Sequence, residues 1–218
     1  MGAKISGAGT DEIIIDGVTS LNESTFTIPA DRIEAGTYLI AAAVTYGDIT
    51  IQNIDATRMN NILDKLKLSG AEITIKKNSI QLSMSAGSIT PVDISTAPFP
   101  GFPTDMQAQF TVLNALSNGS AVITENVFEN RFMHVQELNR MGCNITVKGS
   151  NAFVKGVDSL TGAPVMATDL RASASLILAG LCAQGETIVD RIYHIDRGYE
   201  RIEEKLSYLG ADINRMPN

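Results

Sequence analysis

The chain has 218 residues, 44% apolar and 19% charged, enough for a water-soluble core in one large domain or one domain with an attached fragment. Its net charge of −7 argues against a broad nucleic-acid or anionic-membrane surface, which needs clustered cations, and no apolar run reaches the roughly 18 residues of a transmembrane helix. Two cysteines, Cys143 and Cys182, make no disulfide framework and fit a reducing cytoplasm, and the amino end has no apolar secretory stretch.

In chain order, residues 1–29 stand apart. Residues 11–18 read as a strand ending in a turn and residues 24–28 as a second strand, with Gly2, Gly7 and Gly9 shaping turns rather than a phosphate loop. This segment is expected to be the tail of a preceding domain, with Pro29-Ala30-Asp31 as the boundary.

From residue 30 onward a unit repeats three times, over about 30–95, 96–160 and 161–218. Gly70, Gly142 and Gly210 each follow an amphipathic helix and precede a small residue and a strand, at spacings of 72 (142−70) and 68 (210−142). Gly47, Gly119 and Gly185 repeat in step, each closing an apolar helix before a β-branched strand at residues 49–51, 121–123 and 187–189. The apolar helices, at residues 37–44, 107–114 and 173–181, carry almost no charge on any face, as helices inside a protein do. One such helix per unit predicts an α/β (α+β) fold turned inside out: an inside-out α/β barrel with buried helices at the centre and sheets outside. The third unit is short. Strands are expected at residues 79–84 and 152–154, but the third unit has no counterpart after residues 212–215. Its open edge could be covered by residues 13–15 and 25–28 folding back, or by a strand-swapped dimer.

The chemistry-bearing residues gather at the helix starts. Asp105 follows a proline-rich lead-in and reads either as a helix cap or first-turn acid, or as a general base; Asp169, 64 residues on (169−105), repeats the arrangement. Arg131, Arg171 and Arg197 each lie near a predicted helix start, where a cation opposes the dipole. Either Glu129, Asp169 and Asp196 neutralise them, or they face an anionic ligand together with the helix amino ends. Cys143 and Cys182 read as packing residues, and His134 and His194 have no metal-ligand spacing.

Five runs resemble the UDP-N-acetylglucosamine 1-carboxyvinyltransferase family of enolpyruvyl transferases. They are Asp31-Arg32-Ile33-Glu34-Ala35-Gly36-Thr37, Pro103-Thr104-Asp105-Met106-Gln107-Ala108-Gln109, Phe128-Glu129-Asn130-Arg131-Phe132-Met133-His134-Val135, Ala167-Thr168-Asp169-Leu170-Arg171-Ala172 and Asp190-Arg191-Ile192-Tyr193-His194-Ile195-Asp196-Arg197-Gly198-Tyr199. The resemblance runs the length of the chain and implies two inside-out barrels with substrates between them. It implies transfer of enolpyruvyl from phosphoenolpyruvate to the 3-hydroxyl of UDP-N-acetylglucosamine, releasing phosphate, at the first committed step of peptidoglycan synthesis, without cofactor or metal.

Carried over by resemblance, Asp105 takes the proton of the sugar hydroxyl, and Val127 and Phe128 hold the sugar nucleotide. Arg197 binds the phosphoenolpyruvate side, Arg131 and Arg171 support the anionic cleft, and Asp169 orients that network. The family's loop cysteine, a lysine and further arginines come from the other domain, as do strands from the extreme amino end that complete this one; none matches a segment here. The resemblance therefore implies a carboxy-terminal half that is inactive alone. The alternatives are a non-catalytic nucleotide-sugar-binding module or regulatory pseudoenzyme, and a self-associating structural domain.

Overall fold

The computed structural model describes residues 1–85, 87 and 89–216. Residues 1–31 form an almost wholly exposed arm in which β1 (Lys4–Ser6) pairs antiparallel with β2 (Ile14–Asp16), Ile5 opposite Ile15. Gly7 turns the chain between them at φ +73°, a left-handed conformation that glycine adopts at no steric cost. The strand expected at residues 24–28 does not form, and the arm pairs only with itself, so it does not fold back onto the third unit.

The first two units repeat as read. Unit one runs α1 (Arg32–Val44), β3 (Asp48–Gln52), α2 (Asn60–Leu68), β4 (Glu72–Lys76) and β5 (Ser79–Ser83). β5 lies between β3 and β4, antiparallel to both. Unit two is entered by β6 (Ile94–Ser95) and runs α3 (Gln107–Ala115), β7 (Ser120–Thr124), α4 (His134–Arg140), β8 (Asn144–Lys148) and β9 (Asn151–Lys155). Here β9 takes the central place between β7 and β8.

Unit three is entered by β10 (Leu160–Thr161) and β11 (Pro164–Met166), then runs α5 (Leu170–Cys182), β12 (Ala183–Gln184), β13 (Ile188–Asp190), α6 (Tyr193–Asp196) and α7 (Ile202–Tyr208). β13 pairs with β11 and β12 with β10, both in parallel. Among the described residues no central strand follows α7, and residues 211–216 form no strand although Gly210 turns the chain out of the helix at φ +98°. The strand expected at Asp212 and Ile213 lacks the neighbour that β5 and β9 supply in the sister units. A strand without a partner leaves its backbone groups unpaired. In its place lies an open groove of about 1280 Å³ between α5, β13 and residues 212–216.

The predicted centre is present. α1, α3 and α5 pack against one another and are buried on nearly every side, which is why their sequences carry no solvated stripe. Gly36 lets α1 approach the turn that leads into α3: a Cβ there would lie 2.9 Å from Met106 Cε. Among the described residues the strands fall into five separate sheets, none closed on itself, so the architecture is α/β with central helices and open flanking sheets rather than a closed barrel.

Candidate functional site

Each central helix begins beside an aspartate, but the three do different things. Asp31 caps α1, its Oδ1 accepting from the Ile33 amide at 2.8 Å. Asp169 caps α5, its Oδ1 accepting from the amides of Arg171 and Ala172, both at 2.8 Å. Asp105 lies inside the first turn instead, in the 3-10 turn Thr104–Met106 that follows Pro103 and leads straight into α3, and its side chain caps nothing. Its Oδ1 accepts from Arg131 Nη2 at 2.7 Å, and its Oδ2 lies 3.6 Å from Arg171 Nε. Of the two structural readings of Asp105, the cap suggested by the parallel with Asp169 therefore fails, and Asp105 is instead a first-turn acid. The 3.6 Å separation is too long for a hydrogen bond, which leaves Oδ2 lone pairs open on a side chain that is 39% exposed.

Arg171 gathers the helix starts. Besides Asp105, it lies 3.7 Å from Asp31 Oδ2, and Asp169 holds its backbone amide. Its side chain is 12% exposed, and its Nε and Nη1 have no hydrogen-bond acceptor among the described residues. Support comes from below: the guanidinium lies over the Tyr199 ring, 5.3 Å from the centroid. The Tyr199 hydroxyl is 2.9 Å from Thr37 Oγ1, and Gln109 Nε2 donates to both oxygens at 3.1 and 3.4 Å. Burial pushes the Tyr199 phenol above its ordinary range, against the pull of the Arg171 charge and these hydrogen bonds. The turn carrying Tyr199 sits against α5 because Gly198 has no side chain; a Cβ there would lie 2.9 Å from Leu170 Cδ1.

Arg131 joins Asp105 to a second surface. Its Nη1 donates to Thr104 Oγ1 at 2.6 Å, and its guanidinium lies 4.9 Å from the centroid of Phe128. Val127 and Phe128 are 37% and 56% exposed, but their amides turn inward to Glu125 Oε1. The Val127 carbonyl and the Phe128 ring are what this turn can offer a ligand.

Other candidates fall outside the cluster. Arg197 is exposed at the end of α6 and makes no ion pair with any described residue, so the structure does not join it to Arg131 and Arg171. Asp169 contacts Arg171 only through the backbone, not as an ion pair. Burial pushes the Cys143 and Cys182 thiols up to about 12, which disarms both as nucleophiles near neutral pH. Among the described residues no three His, Cys, Asp or Glu side chains are grouped to hold a metal ion, and no helix is long and apolar enough to cross a membrane. Sequence reasoning missed Asp31, Thr104, Glu125 and Tyr199. Asp31 was legible as a cap; its tie to Arg171, 140 residues away (171−31), leaves no local signal.

A profile of the family described as EPSP synthase (3-phosphoshikimate 1-carboxyvinyltransferase) matches residues 1–206. Curated UDP-N-acetylglucosamine 1-carboxyvinyltransferases from Coxiella burnetii strains Dugway 5J108-111 and CbuG_Q212 are each 60% identical over 216 residues, covering 99% of this chain and 50% of theirs. The chain thus spans half the length of these curated relatives. The solved structure of the enolpyruvyl transferase NikO from Streptomyces tendae matches with a TM-score of 0.86 at 30% identity, over 98% of this chain and 51% of that one. EPSP synthase from Acinetobacter baumannii matches at TM-score 0.67 and 17% identity, over 88% of this chain and 45% of that one, a likeness of fold.

Proposed function

Because the chain belongs to the EPSP synthase (3-phosphoshikimate 1-carboxyvinyltransferase) family, we propose that it is the carboxy-terminal half of an enzyme moving enolpyruvyl from phosphoenolpyruvate to UDP-N-acetylglucosamine. The observation that carries this reading is the uncapped Asp105 carboxylate between Arg131 and Arg171, in a chain 60% identical to UDP-N-acetylglucosamine 1-carboxyvinyltransferases. Asp105 Oδ2 takes the proton of the sugar 3-hydroxyl, whose oxygen bonds to C2 of phosphoenolpyruvate. As that bond forms, the C2–C3 double-bond pair takes up a proton at C3 from an acid in the other half of the cleft; loss of a proton from C3 then restores the double bond as the bond from C2 to the phosphate oxygen breaks and phosphate leaves. A general base of this kind contributes about 10²–10⁴-fold.

Val127 and Phe128 hold the sugar nucleotide, Arg131 and Arg171 orient Asp105, and Asp169 fixes Arg171 by capping α5. Arg197, free of carboxylate partners among the described residues, is available to the phosphoenolpyruvate side once the other half of the cleft is in place. The unit-three groove supports the need for that half. In the inside-out barrel of the family, a strand from the rest of the polypeptide fills it, antiparallel to β13 and residues 212–215 as β5 and β9 are to their neighbours. The arm of residues 1–31, with Ile13, Ile15, Phe26 and Ile28 exposed, packs on the same missing half. Unpaired Cys143 and Cys182 support a cytoplasmic setting.

A non-catalytic nucleotide-sugar-binding module could keep Asp105 as a first-turn acid favoured by the helix dipole, but would have no use for a carboxylate oxygen left open between two arginines. The test is phosphate release from phosphoenolpyruvate. The full polypeptide is expected to release phosphate only when UDP-N-acetylglucosamine is present, and the isolated chain to stay at background. Release that is indifferent to the sugar nucleotide would overturn the substrate assignment, and turnover by the isolated chain would overturn the half-enzyme reading. A strand-swapped dimer is the other way to fill the groove, and it would show as a concentration-dependent doubling of mass in light scattering.

A further inference from the structure

Glu125 is a carboxylate only 3% exposed, and no described cation lies within ion-pair distance of it. Burying a charge without a counterion is costly unless hydrogen bonds compensate. Here four do. Oε1 accepts from Thr96 Oγ1 at 2.8 Å, the Val127 amide at 2.9 Å and the Phe128 amide at 3.1 Å, while Oε2 accepts from Thr104 Oγ1 at 2.8 Å. Thr96 Oγ1 in turn accepts from the Asn126 amide at 2.9 Å, so the whole 126–128 turn is gathered onto one carboxylate.

The direction of the second link is fixed by counting hydrogens. Thr104 Oγ1 has one hydrogen, and Arg131 Nη1 already donates to that oxygen at 2.6 Å. The hydroxyl must therefore donate away, and Glu125 Oε2 is the acceptor it meets. Arg131 Nη2 continues to Asp105 Oδ1 at 2.7 Å. One side chain thus joins the ligand turn to the candidate base through an ordered series of donors. A glutamine would still accept at the turn, but its amide would donate to the second lone pair of Thr104 Oγ1, reversing that link and leaving the hydroxyl hydrogen without its acceptor.

We propose that Glu125 is a positioning residue that couples the Asn126–Phe128 turn to the Thr104–Arg131–Asp105 relay, holding the sugar-nucleotide seat and the base in fixed relation. The kinetic part of this proposal rests on the enolpyruvyl-transfer reading; the mechanical part does not. Thr104→Val removes the link between Glu125 and Arg131 and Glu125→Gln reverses it and strips its charge, both keeping side-chain volume. In the full polypeptide each is expected to lower kcat about 10–100-fold, the scale of a misplaced catalytic group, with the KM for UDP-N-acetylglucosamine changed less than about threefold. The double variant is expected to be no worse than either single one, because both break the same link.

A second readout is the nitrogen NMR signal of the Arg131 guanidinium, expected to show restricted rotation in the parent and averaging in both variants. Equal losses in kcat and 1/KM, or fully additive losses, would reduce Glu125 to a packing residue and overturn the proposal. An Arg131 signal unchanged in Glu125→Gln would overturn it independently of activity. A parent without turnover but with an Arg131 signal that responds would sink the reaction reading and leave the coupling intact.

Discussion

Arg171 rests on the face of Tyr199, 5.3 Å from the ring centroid, while reaching toward Asp31 at 3.7 Å and Asp105 at 3.6 Å. A planar guanidinium can lie flat on a ring and present its edge to two carboxylates; an ammonium cannot. Arg171→Lys in the full polypeptide is therefore expected to lower turnover by about 10²-fold, the penalty for a mispositioned catalytic group. Tyr199→Phe keeps the ring face but removes a hydroxyl shared with Thr37 and Gln109, costing stability of about 1–2 kcal/mol with a smaller effect on turnover. Steady-state kinetics and urea denaturation on both variants check this. Equal kinetic losses in the two would contradict it.

His134 makes the fold sensitive to acid. It is fully buried with Nε2 unpaired among the described residues, and burial pushes its pKa down to about 4, against the pull of Asp169. An unfolded histidine binds a proton near pH 6.5 and the folded one does not, so the unfolded state gains protons first. Stability is then full above about pH 6.5 and falls as the pH drops toward 4, by about 3 kcal/mol. Thermal melts across that window are expected to decline, and His134→Phe to flatten the decline.

The carboxy-terminal segment is held by Arg215, which pairs with Asp196 at 2.6 Å and Glu203 at 2.7 Å. Hydrogen bonds from Arg215 hold both carboxyls below their usual range. Their contribution is present above the ordinary carboxylate range and lost as the pH falls through the depressed folded values. These groups are partly solvated, so Arg215→Ala is expected to cost at most about 1 kcal/mol near neutrality and nothing in strong acid. Denaturation at the two pH values, with and without added salt, measures it.

Cys143 and Cys182 are expected to resist alkylation in the native protein. With thiols pushed up to about 12, the thiolate fraction at pH 8 is about 10⁻⁴. Mass spectrometry after iodoacetamide should show both unlabelled until urea is added. Rapid native labelling of Cys182, whose Sγ lies 3.4 Å from the Val44 carbonyl, would show that the end of α5 opens readily.

The repeat, the central helices and the glycine stops at Gly70 and Gly142 were legible because they are local: period, composition and one left-handed residue. What failed was whatever depends on a neighbour elsewhere in the chain. A strand at Asp212 and Ile213 has the right composition but no partner, and residues 24–28 have β-propensity but no sheet to join. In the site, Asp105, Arg131 and Arg171 were picked out and do meet. Arg197 was picked out with them and makes no ion pair with their carboxylate partners among the described residues. Glu125 and Tyr199 went unseen because a buried glutamate and a buried tyrosine carry no sequence mark; only the groups that converge on them, up to 162 residues apart, reveal their part.

The place of Asp105 inside its helix's first turn also bears on how a threefold repeat can acquire chemistry. Asp105 stands 14 residues before Gly119 (119−105), whereas Asp31 and Asp169 each stand 16 before Gly47 and Gly185 (47−31, 185−169), and the next residue, Met106, is fully buried against Gly36. Two residues are worth about 200° of helical phase, enough to swing a carboxylate from the amides of its own helix toward Arg131 of its own unit and Arg171 of the next. A chimera whose second unit began as the first or third does would be well capped and chemically silent. Divergence between the copies thus needs no new fold and no new residue type, only a shift of two positions at a boundary where the interior has a socket ready for the residue that follows.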